Sequence, residues 1–183
     1  MTMKENQRVR LTKQMLREGF IDLLGKKDIH KISVREICDR SQINRTTFYK
    51  YYGSPYDLLT DIENEVLAQI EEYLGTDDSR SADEVLQLSR IMGYMNGNLA
   101  LCRLLINNSI DSKFPERLFQ LPKIKCLLRN QLTAYPNDEI DYVYQFVVNG
   151  GFSMIKNWIN QDTRENPEKI AVLLLSIIGK VLE

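Results

Sequence analysis

Histidine, cysteine and long apolar runs are scarce in this chain of 183 residues. The one histidine, His30, is accompanied by no serine elbow, no phosphate-binding glycine loop and no cluster of metal ligands. Adjacent carboxylates such as Glu71 and Glu72 lie on stretches where solvated charge is the better explanation. The sequence therefore predicts that the chain is not an enzyme, holds no metal and needs no cofactor.

The cysteines and the N-terminus indicate a cytoplasmic protein. Cys38, Cys102 and Cys126 are odd in number and widely spaced, which is typical of reduced thiols. Each is interpreted as a small buried hydrophobe, with a redox sensor as the alternative. The chain is polar through Lys13 and shows no signal-peptide pattern. The longest apolar run, residues 170–178, is too short to span a bilayer, so no membrane contact is expected.

Period-two alternation of apolar residues is also missing, whereas helical periodicity continues through the chain. This pattern predicts an all-α fold. Residues 75–81 are the clearest linker, and the Asn-Gly pair at 96–97 is interpreted as a turn between helices. About nine helices are predicted, at residues 8–26, 34–40, 45–51, 55–74, 82–96, 98–109, 115–134, 138–160 and 167–182.

Two helix starts follow each other closely after residue 32. Ser33 is followed three residues later by Glu36, a capping box that marks the first helix of the pair. Asn44 is a good N-cap for the second helix, and Ile43 before it can pack on Phe48 as a hydrophobic staple. Two short helices joined by a tight turn form a helix-turn-helix, whose second helix enters the major groove of DNA.

The second helix of this pair has the composition of a recognition helix, because Phe48 is its one large apolar anchor. The other side chains are hydroxyls, cations and aromatics with polar tips, which reach base edges and phosphates. A third helix begins at Ser54-Pro55, and its backbone N–H groups could bind a phosphate. The predicted DNA-binding residues are Ser33, Arg35, Asn44, Arg45, Thr46, Thr47, Tyr49, Lys50, Tyr51 and Ser54.

These elements resemble the DNA-binding domain of the TetR family of bacterial transcriptional regulators. The resemblance rests on the apolar helix that follows Thr12 and on three segments, at residues 32–37, 44–52 and 57–59. It implies an N-terminal three-helix, TetR-type helix-turn-helix domain at 1–54, followed by a helical regulatory and dimerisation domain at 55–183.

The sequence departs from the family at Pro55, where the family usually has a lysine that contacts a phosphate. Here that contact is lost, or it is supplied by Lys50 or a tyrosine. Charge fits the resemblance, because residues 1–60 carry 12 Lys and Arg against 7 Asp and Glu, whereas the remainder carries 12 against 18. A basic N-terminal part suits DNA phosphates. Helix faces that are merely exposed to solvent would give the same charge asymmetry. The prediction of DNA binding therefore rests on the helix-turn-helix motif and not on charge.

The resemblance also implies a homodimer, because in this family the two C-terminal helices pair with those of a second subunit as a four-helix bundle. The last helix is apolar nearly all round and must bury a second face. Burial inside the chain's own core is the alternative. Two half-sites one helical turn, about 34 Å, apart would also need two recognition helices. The predicted interface residues are Phe152, Ile155, Trp158, Ile170, Leu174, Ile177, Ile178 and Val181.

Residues 82–134 are predicted to form the regulatory core, where the family often encloses a small-molecule pocket. Such a pocket needs apolar walls with a few polar points. Ordinary core packing is the alternative for every candidate, because methionines and aromatics at helical spacing occur in any bundle. The candidate ligand-binding residues are Met92, Tyr94, Met95, Cys102, Phe119, Cys126, Tyr142 and Phe146.

Two hypotheses for function follow from these observations. The first is a homodimeric repressor that a small-molecule effector releases from a pseudo-palindromic operator in double-stranded DNA. The second keeps the fold and the DNA, but replaces the small molecule with a protein partner, as in a co-activator or an architectural factor. A large closed pocket would favour the first hypothesis, and a filled core with an exposed apolar groove would favour the second.

Overall fold

The computed structural model describes residues 3–74, 84–107, 114–122, 124–125, 128, 136 and 139–181. Within these ranges the chain forms nine α-helices, one turn of 3₁₀ helix at Ile29–Lys31 and no strand. The predicted all-α fold is therefore confirmed. The helices are α1 (Met3–Leu24), α2 (Val34–Ser41), α3 (Arg45–Tyr49), α4 (Pro55–Leu74), α5 (Glu84–Gly97), α6 (Leu99–Asn107), α7 (Phe114–Gln120), α8 (Ile140–Asn160) and α9 (Pro167–Val181).

One predicted helix is broken in the structure. The interpretation of residues 115–134 as a single helix is wrong, because α7 ends at Gln120 and helical residues resume at Pro122. Proline lacks a backbone N–H and disfavours helical geometry at the residue before it, which accounts for the break. The predicted linker at 75–81 lies outside the described residues.

The chain divides into two compact units, Met1–Glu65 and Val66–Glu183, and the division falls within α4. The boundary expected from the sequence, between residues 54 and 55, marks the end of the helix-turn-helix and stays a prediction. None of the described helices combines the length and the apolar character that a membrane span requires.

The first unit has a core of large side chains from α1, α2, α3 and α4. Phe20, Phe48, Leu58 and Ile37 have no exposed surface. A core of this kind gives each short helix an apolar surface to pack on, which short helices need because they are unstable alone.

Helices α1 and α2 approach closely at Gly19 and Ser41. A Cβ atom added to Gly19 would lie 3.2 Å from both the Cβ and the backbone nitrogen of Ser41. Ser41 is buried, and its hydroxyl donates to the carbonyl of Ile37 at 2.7 Å, so its polar atom is satisfied. Small residues on both helices therefore permit this packing.

The second unit is built mainly on two packed pairs, α5 with α9 and α6 with α8. The predicted turn between α5 and α6 is confirmed: the backbone N–H and the side-chain amide of Asn98 both donate to the carbonyl of Tyr94 at 3.0 Å. Arg103 of α6 donates to the carbonyls of Ile159 at 2.6 Å and of Gln161 at 2.9 Å. This arginine thereby satisfies carbonyl groups at the end of α8 that have no partner within the helix.

Replacing Gly19 with valine should lower the free energy of unfolding by about 1–3 kcal/mol, because the added side chain would overpack the contact with α2. Urea denaturation followed by circular dichroism measures the change. Gly93→Val is the control, since a Cβ at Gly93 would meet no atom within 4 Å, and it should change stability by less than about 0.5 kcal/mol. Equal losses in the two variants would contradict the close packing of α1 on α2.

Candidate nucleic-acid and effector sites

The start of α2 is fixed by the capping box that the sequence predicts. The hydroxyl of Ser33 accepts from the N–H of Glu36 at 3.3 Å, and the Glu36 carboxylate accepts from the N–H of Ser33 at 3.0 Å. Lys27 donates to the same carboxylate at 2.5 Å. These hydrogen bonds, led by the one from Lys27, lower the pKa of Glu36 to about 2. The prediction of a capping box is confirmed.

The turn between α2 and α3 is tight because one residue adopts the left-handed conformation. Gln42 has a φ of 55°, and the N–H of Ile43 donates to the carbonyl of Cys38 at 3.0 Å. A left-handed residue after the last helical turn is the common way to end a helix sharply. Two residues later, Asn44 caps α3 by accepting from the N–H of Thr47 at 2.7 Å.

Helix α3 is held by aromatic packing on its inner face. Phe48 is fully buried and has its ring centroid 5.7 Å from that of Tyr52. Tyr49 meets the edge of Phe48 but is itself 58% exposed. The helix thus presents one anchor to the core and leaves its other side chains at the surface.

A polar cluster holds the segment that follows α3. The hydroxyl of Tyr52 donates to the carboxylate of Asp61 in α4 at 2.6 Å, and Lys13 of α1 donates to the same oxygen at 3.2 Å. The ammonium of Lys13 lies 5.3 Å from the centroid of the Tyr52 ring. Burial, together with the Asp61 carboxylate, raises the pKa of Tyr52, so its hydroxyl remains protonated and donating. We name these three residues the Tyr52 cluster.

The sequence did not predict the Tyr52 cluster. Lys13 and Asp61 are 48 positions apart, and spacing along one helix gives no signal for a pair at that distance. The cluster joins α1 and α4 to the end of α3, so it restrains the recognition helix from outside the helix-turn-helix.

The start of α4 offers few free donors. The N–H of Asp57 donates to the Ser54 hydroxyl at 3.3 Å, and the N–H of Gly53 donates to the Asp57 carboxylate at 2.8 Å. Pro55 has no N–H to give. These hydrogen bonds use some of the backbone N–H groups around the start of α4. The sequence predicted that N–H groups there could bind a phosphate.

The predicted DNA-binding residues lie at the surface of the first unit. Three of them, Ser33, Asn44 and Ser54, accept hydrogen bonds from backbone N–H groups at helix starts with their side chains, so their role within the chain is to fix backbone. All ten stay predictions as DNA contacts. Ser33, Arg35, Asn44, Arg45, Thr46, Tyr49 and Lys50 are exposed, and Thr47, Tyr51 and Ser54 are partly exposed.

Charge pairing separates the cations of this unit into two groups. Seven of them form ion pairs with carboxylates: Lys13, Arg17, Lys26, Lys27, Lys31, Arg35 and Arg40. By contrast, neither Arg45 nor Lys50 lies within ion-pair distance of a carboxylate among the residues that the structure describes. Both belong to the surface of α3 and the turn after it, so positive charge there is not neutralised by the protein.

The candidate ligand-binding residues do not converge on one pocket. Met92, Met95 and Cys102 are fully buried, and Tyr94 and Phe119 are nearly so. In contrast, Tyr142 is 80% exposed and Phe146 64% exposed. The structure places the side chains of Tyr142 and Phe146 on the surface of α8 and not in the wall of an enclosed cavity, and their role as ligand contacts stays a prediction. The side chain of Cys126 lies outside the described residues.

The interpretation of the cysteines as buried hydrophobes holds for Cys38 and Cys102, which are both buried. Burial raises the pKa of Cys102 to about 12, so its thiol stays protonated.

A small apolar cavity lies in the core of the second unit. It has a volume of about 40 Å³ and is lined by residues of α5, α8 and α9 together with Phe119, Ile124 and Leu128. Phe119 is the only candidate ligand-binding residue among its walls. Ligand pockets for small molecules commonly measure about 300–1,000 Å³, so this cavity is too small for such a ligand in the present conformation.

The predicted dimer-interface residues mostly face inwards. Five of them, Ile155, Trp158, Ile170, Leu174 and Ile178, are buried within the single chain. Little of their surface is therefore left for a second copy to contact in this conformation, and their role in a dimer stays a prediction. Phe152 is half-buried, Ile177 is 40% exposed, and the side chain of Val181 lies outside the described residues.

Other apolar residues do occupy the surface of the last two helices. Tyr142 and Phe146 are exposed on α8, and Val172, Leu173 and Ile177 are exposed on α9. We call these five residues the apolar α8–α9 surface. For its α9 part the sequence signal was present, since the last helix is apolar nearly all round.

Two family models match the chain. Residues 20–62 match the model described as "Bacterial regulatory proteins, tetR family". Residues 86–180 match the model described as "Transcriptional regulator C-terminal region". The second match alone covers more than half of the chain.

Two curated relatives are similar in sequence. The uncharacterized HTH-type transcriptional regulator YxbF of Bacillus subtilis (strain 168) is 21% identical over 174 residues, which are 90% of this chain and 44% of the relative. The HTH-type dhaKLM operon transcriptional activator DhaS of Lactococcus lactis subsp. lactis (strain IL1403) is 29% identical over 114 residues, 62% of this chain and 51% of the relative. The chain thus spans about half the length of the curated relatives it matches.

Solved structures share the fold. A TetR transcriptional regulator from Streptococcus agalactiae 2603V superposes with a TM-score of 0.72 at 20% identity, covering 96% of this chain and 98% of that one. The fatty acid degradation regulator FadR from Bacillus halodurans superposes with a TM-score of 0.64 at 13% identity, covering 92% and 94%. At these identities the similarity supports the fold.

The capping box should make stability depend on acid pH through Glu36. Because the folded state lowers the pKa of Glu36 from 4.5 to about 2, its stabilisation is complete above pH 4.5 and is lost as the pH falls towards 2. Glu36→Gln keeps a capping side chain but removes the charge. The free energy of unfolding, measured by urea denaturation from pH 6 to pH 2.5, should therefore fall less steeply in Glu36→Gln than in the wild type.

Lys27→Gln removes the largest cause of the lowered pKa and should flatten the same profile. Identical pH profiles for the wild type and both variants would contradict the assigned role of Glu36.

Proposed function

The chain belongs to the TetR family of bacterial transcriptional regulators, with a DNA-binding N-terminal part, and from this premise we propose that it binds a pseudo-palindromic operator as a homodimer and acts as a repressor. The observation that carries this proposal is the surface of α3, where Arg45 and Lys50 have no carboxylate partner among the described residues. A regulator of this kind acts on the bacterial chromosome, which supports the expected cytoplasmic location.

The proposed DNA surface follows from what each side chain is free to do. Thr46, Tyr49 and Lys50 are exposed, so they can enter a groove without leaving a core position. Lys50 lies 5.9 Å from the centroid of the Tyr51 ring, which keeps its ammonium at the end of α3. A cation there can neutralise a phosphate, taking over the contact that Pro55 cannot make.

The proposed dimer uses the apolar α8–α9 surface. Exposed aromatic and aliphatic side chains on two helices are costly in water and mark interaction sites. Pairing this surface with a second copy would bury Tyr142 and Phe146, the most exposed of its five residues. A dimer would also provide the second recognition helix that a two-fold symmetric site requires.

Repression is proposed as the direction of regulation because it requires only that the operator be occupied. Activation would need an additional surface that contacts the transcription machinery. The relative DhaS is named as an activator, and that description applies to DhaS.

Control by a small-molecule effector requires the core cavity to enlarge. In the described residues its walls are apolar and its volume is about 40 Å³, so a small molecule could enter only by displacing α5, α8 or α9 side chains. The filled core favours the second mode of control, in which a protein partner binds this unit.

The test of the proposed function is selection of binding sites from a random DNA pool, followed by the mass of the complex on the selected sequence. A two-fold symmetric site bound by an even number of protomers is expected. Failure to enrich any sequence, with and without cell extract as a source of effector, would overturn the proposal.

Tyr49→Ala and Lys50→Ala should both weaken operator binding, because each removes an exposed side chain of α3 or its end. Lys50→Ala should also reduce the slope of log Kd against log salt by about one phosphate contact. Fluorescence anisotropy on operator DNA at several salt concentrations measures both effects. Affinities and slopes equal to those of the wild type would contradict the placement of the recognition helix.

Ile177→Asp should convert the dimer to a monomer, because it replaces an exposed apolar side chain of the apolar α8–α9 surface with a charge. Sedimentation equilibrium should give half the wild-type mass at the same concentration. Leu86→Asp is the matched control, since Leu86 is also exposed but lies on α5, and it should leave the mass unchanged. A dimer of unchanged stability in Ile177→Asp would contradict the proposed interface.

A further inference from the structure

Two cations without a carboxylate partner among the described residues, Arg45 and Lys50, occupy opposite ends of the recognition helix. Arg45 is the first residue of α3, directly after the Asn44 cap, and Lys50 follows the last residue of the helix. Two positive groups at different places along one helix can have different tasks, because N-terminal residues of a recognition helix commonly contact base edges while backbone contacts lie around them.

The position of Arg45 is unfavourable for the stability of α3. The N-terminus of a helix carries partial positive charge, so a cation there is repelled. The first turn of α3 contains no acidic residue that would offset this. The side chain is exposed and buries no core surface. Neither packing nor pairing within the described residues therefore explains an arginine here.

The chemistry of the guanidinium group gives Arg45 a specific partner. Its planar fork of N–H donors matches the O6 and N7 acceptors that guanine presents in the major groove. The backbone that carries it is fixed on both sides, by the Asn44 cap at 2.7 Å and by the buried ring of Phe48. A side chain on a fixed backbone can aim a bidentate contact, whereas one on a loose turn cannot.

We infer that Arg45 reads a guanine in each operator half-site and that Lys50 contributes affinity without base preference. This inference rests on the proposed function and adds to it the identity of one base pair and the residue that selects it. It also assigns different roles to two cations that composition alone treats as equivalent, since an ammonium is a point charge without the planar fork.

The experiment compares sites selected from one random DNA pool by the full-length wild type, Arg45→Ala, Arg45→Gln and Lys50→Ala. Selections are run at low salt so that weakened variants still bind. Gln favours adenine through its N6 and N7 groups, so Arg45→Gln should exchange guanine for adenine at one position in each half-site. Arg45→Ala should lose preference at that position. Lys50→Ala should select the wild-type sequence.

Competition with operators altered at that base pair measures how strongly each protein prefers guanine there. The wild type should prefer guanine over adenine by about 10- to 100-fold, and Arg45→Ala by about twofold or less. Thermal melting temperatures of the variants should not fall below that of the wild type, because Arg45 and Lys50 are exposed and removing the Arg45 charge relieves its repulsion by the N-terminus of α3. A melting temperature that does not fall separates a loss of base reading from a loss of fold.

Three results would overturn the inference, and they have different consequences. If the wild type enriches a symmetric site and Arg45→Ala enriches the same site at every position, the inference fails while the proposed function stands. If the wild type enriches no sequence, both fail. A change of base preference in Lys50→Ala, with none in Arg45→Gln, would reverse the assigned roles and also contradict the inference.

Discussion

The burial of Phe48 is the interaction on which the DNA-binding surface depends. Helix α3 has five residues, and a helix of that length has no stability of its own in water. Its one fully buried side chain joins it to the core of the first unit, and losing such a side chain typically costs about 3–5 kcal/mol. Because one residue provides the attachment, the others on α3 are free to be polar, charged or aromatic as DNA requires.

Polar contacts, in addition to the burial of Phe48, hold the helix-turn-helix in place. The capping box of α2 and the Asn44 cap fix where the two helices of the motif start. The Tyr52 cluster then holds the chain after α3 against α1 and α4. Ion pairs neutralise seven cations of this unit, so the unpaired charge that remains on the described motif is concentrated at Arg45 and Lys50. Packing, capping and charge pairing thus cooperate to present a short, rigid and positively charged helix.

Features that depend on neighbours in sequence were predicted well, and features that depend on distant contacts were not. The sequence predicted the caps at Ser33 and Asn44 and the break at residues 97–98, because the interacting groups lie within four residues of each other. The Tyr52 cluster was missed because its members are far apart in the chain. Tyr142 and Phe146 were assigned to a pocket, and Trp158 to a dimer surface, because helical periodicity identifies an apolar stripe but not which neighbour covers it. Proline at 122 was a local signal for the break in 115–134 that the interpretation did not use.

The most direct measurement is protection of guanine N7 from dimethyl sulfate on the selected operator. This reagent methylates guanine in the major groove, where α3 is proposed to bind. The structure leads us to expect two clusters of protected guanines, related by two-fold symmetry and separated by about 10 base pairs, one turn of the double helix. Uniform reactivity along a tightly bound operator would contradict the claim that two copies of α3 read the major groove.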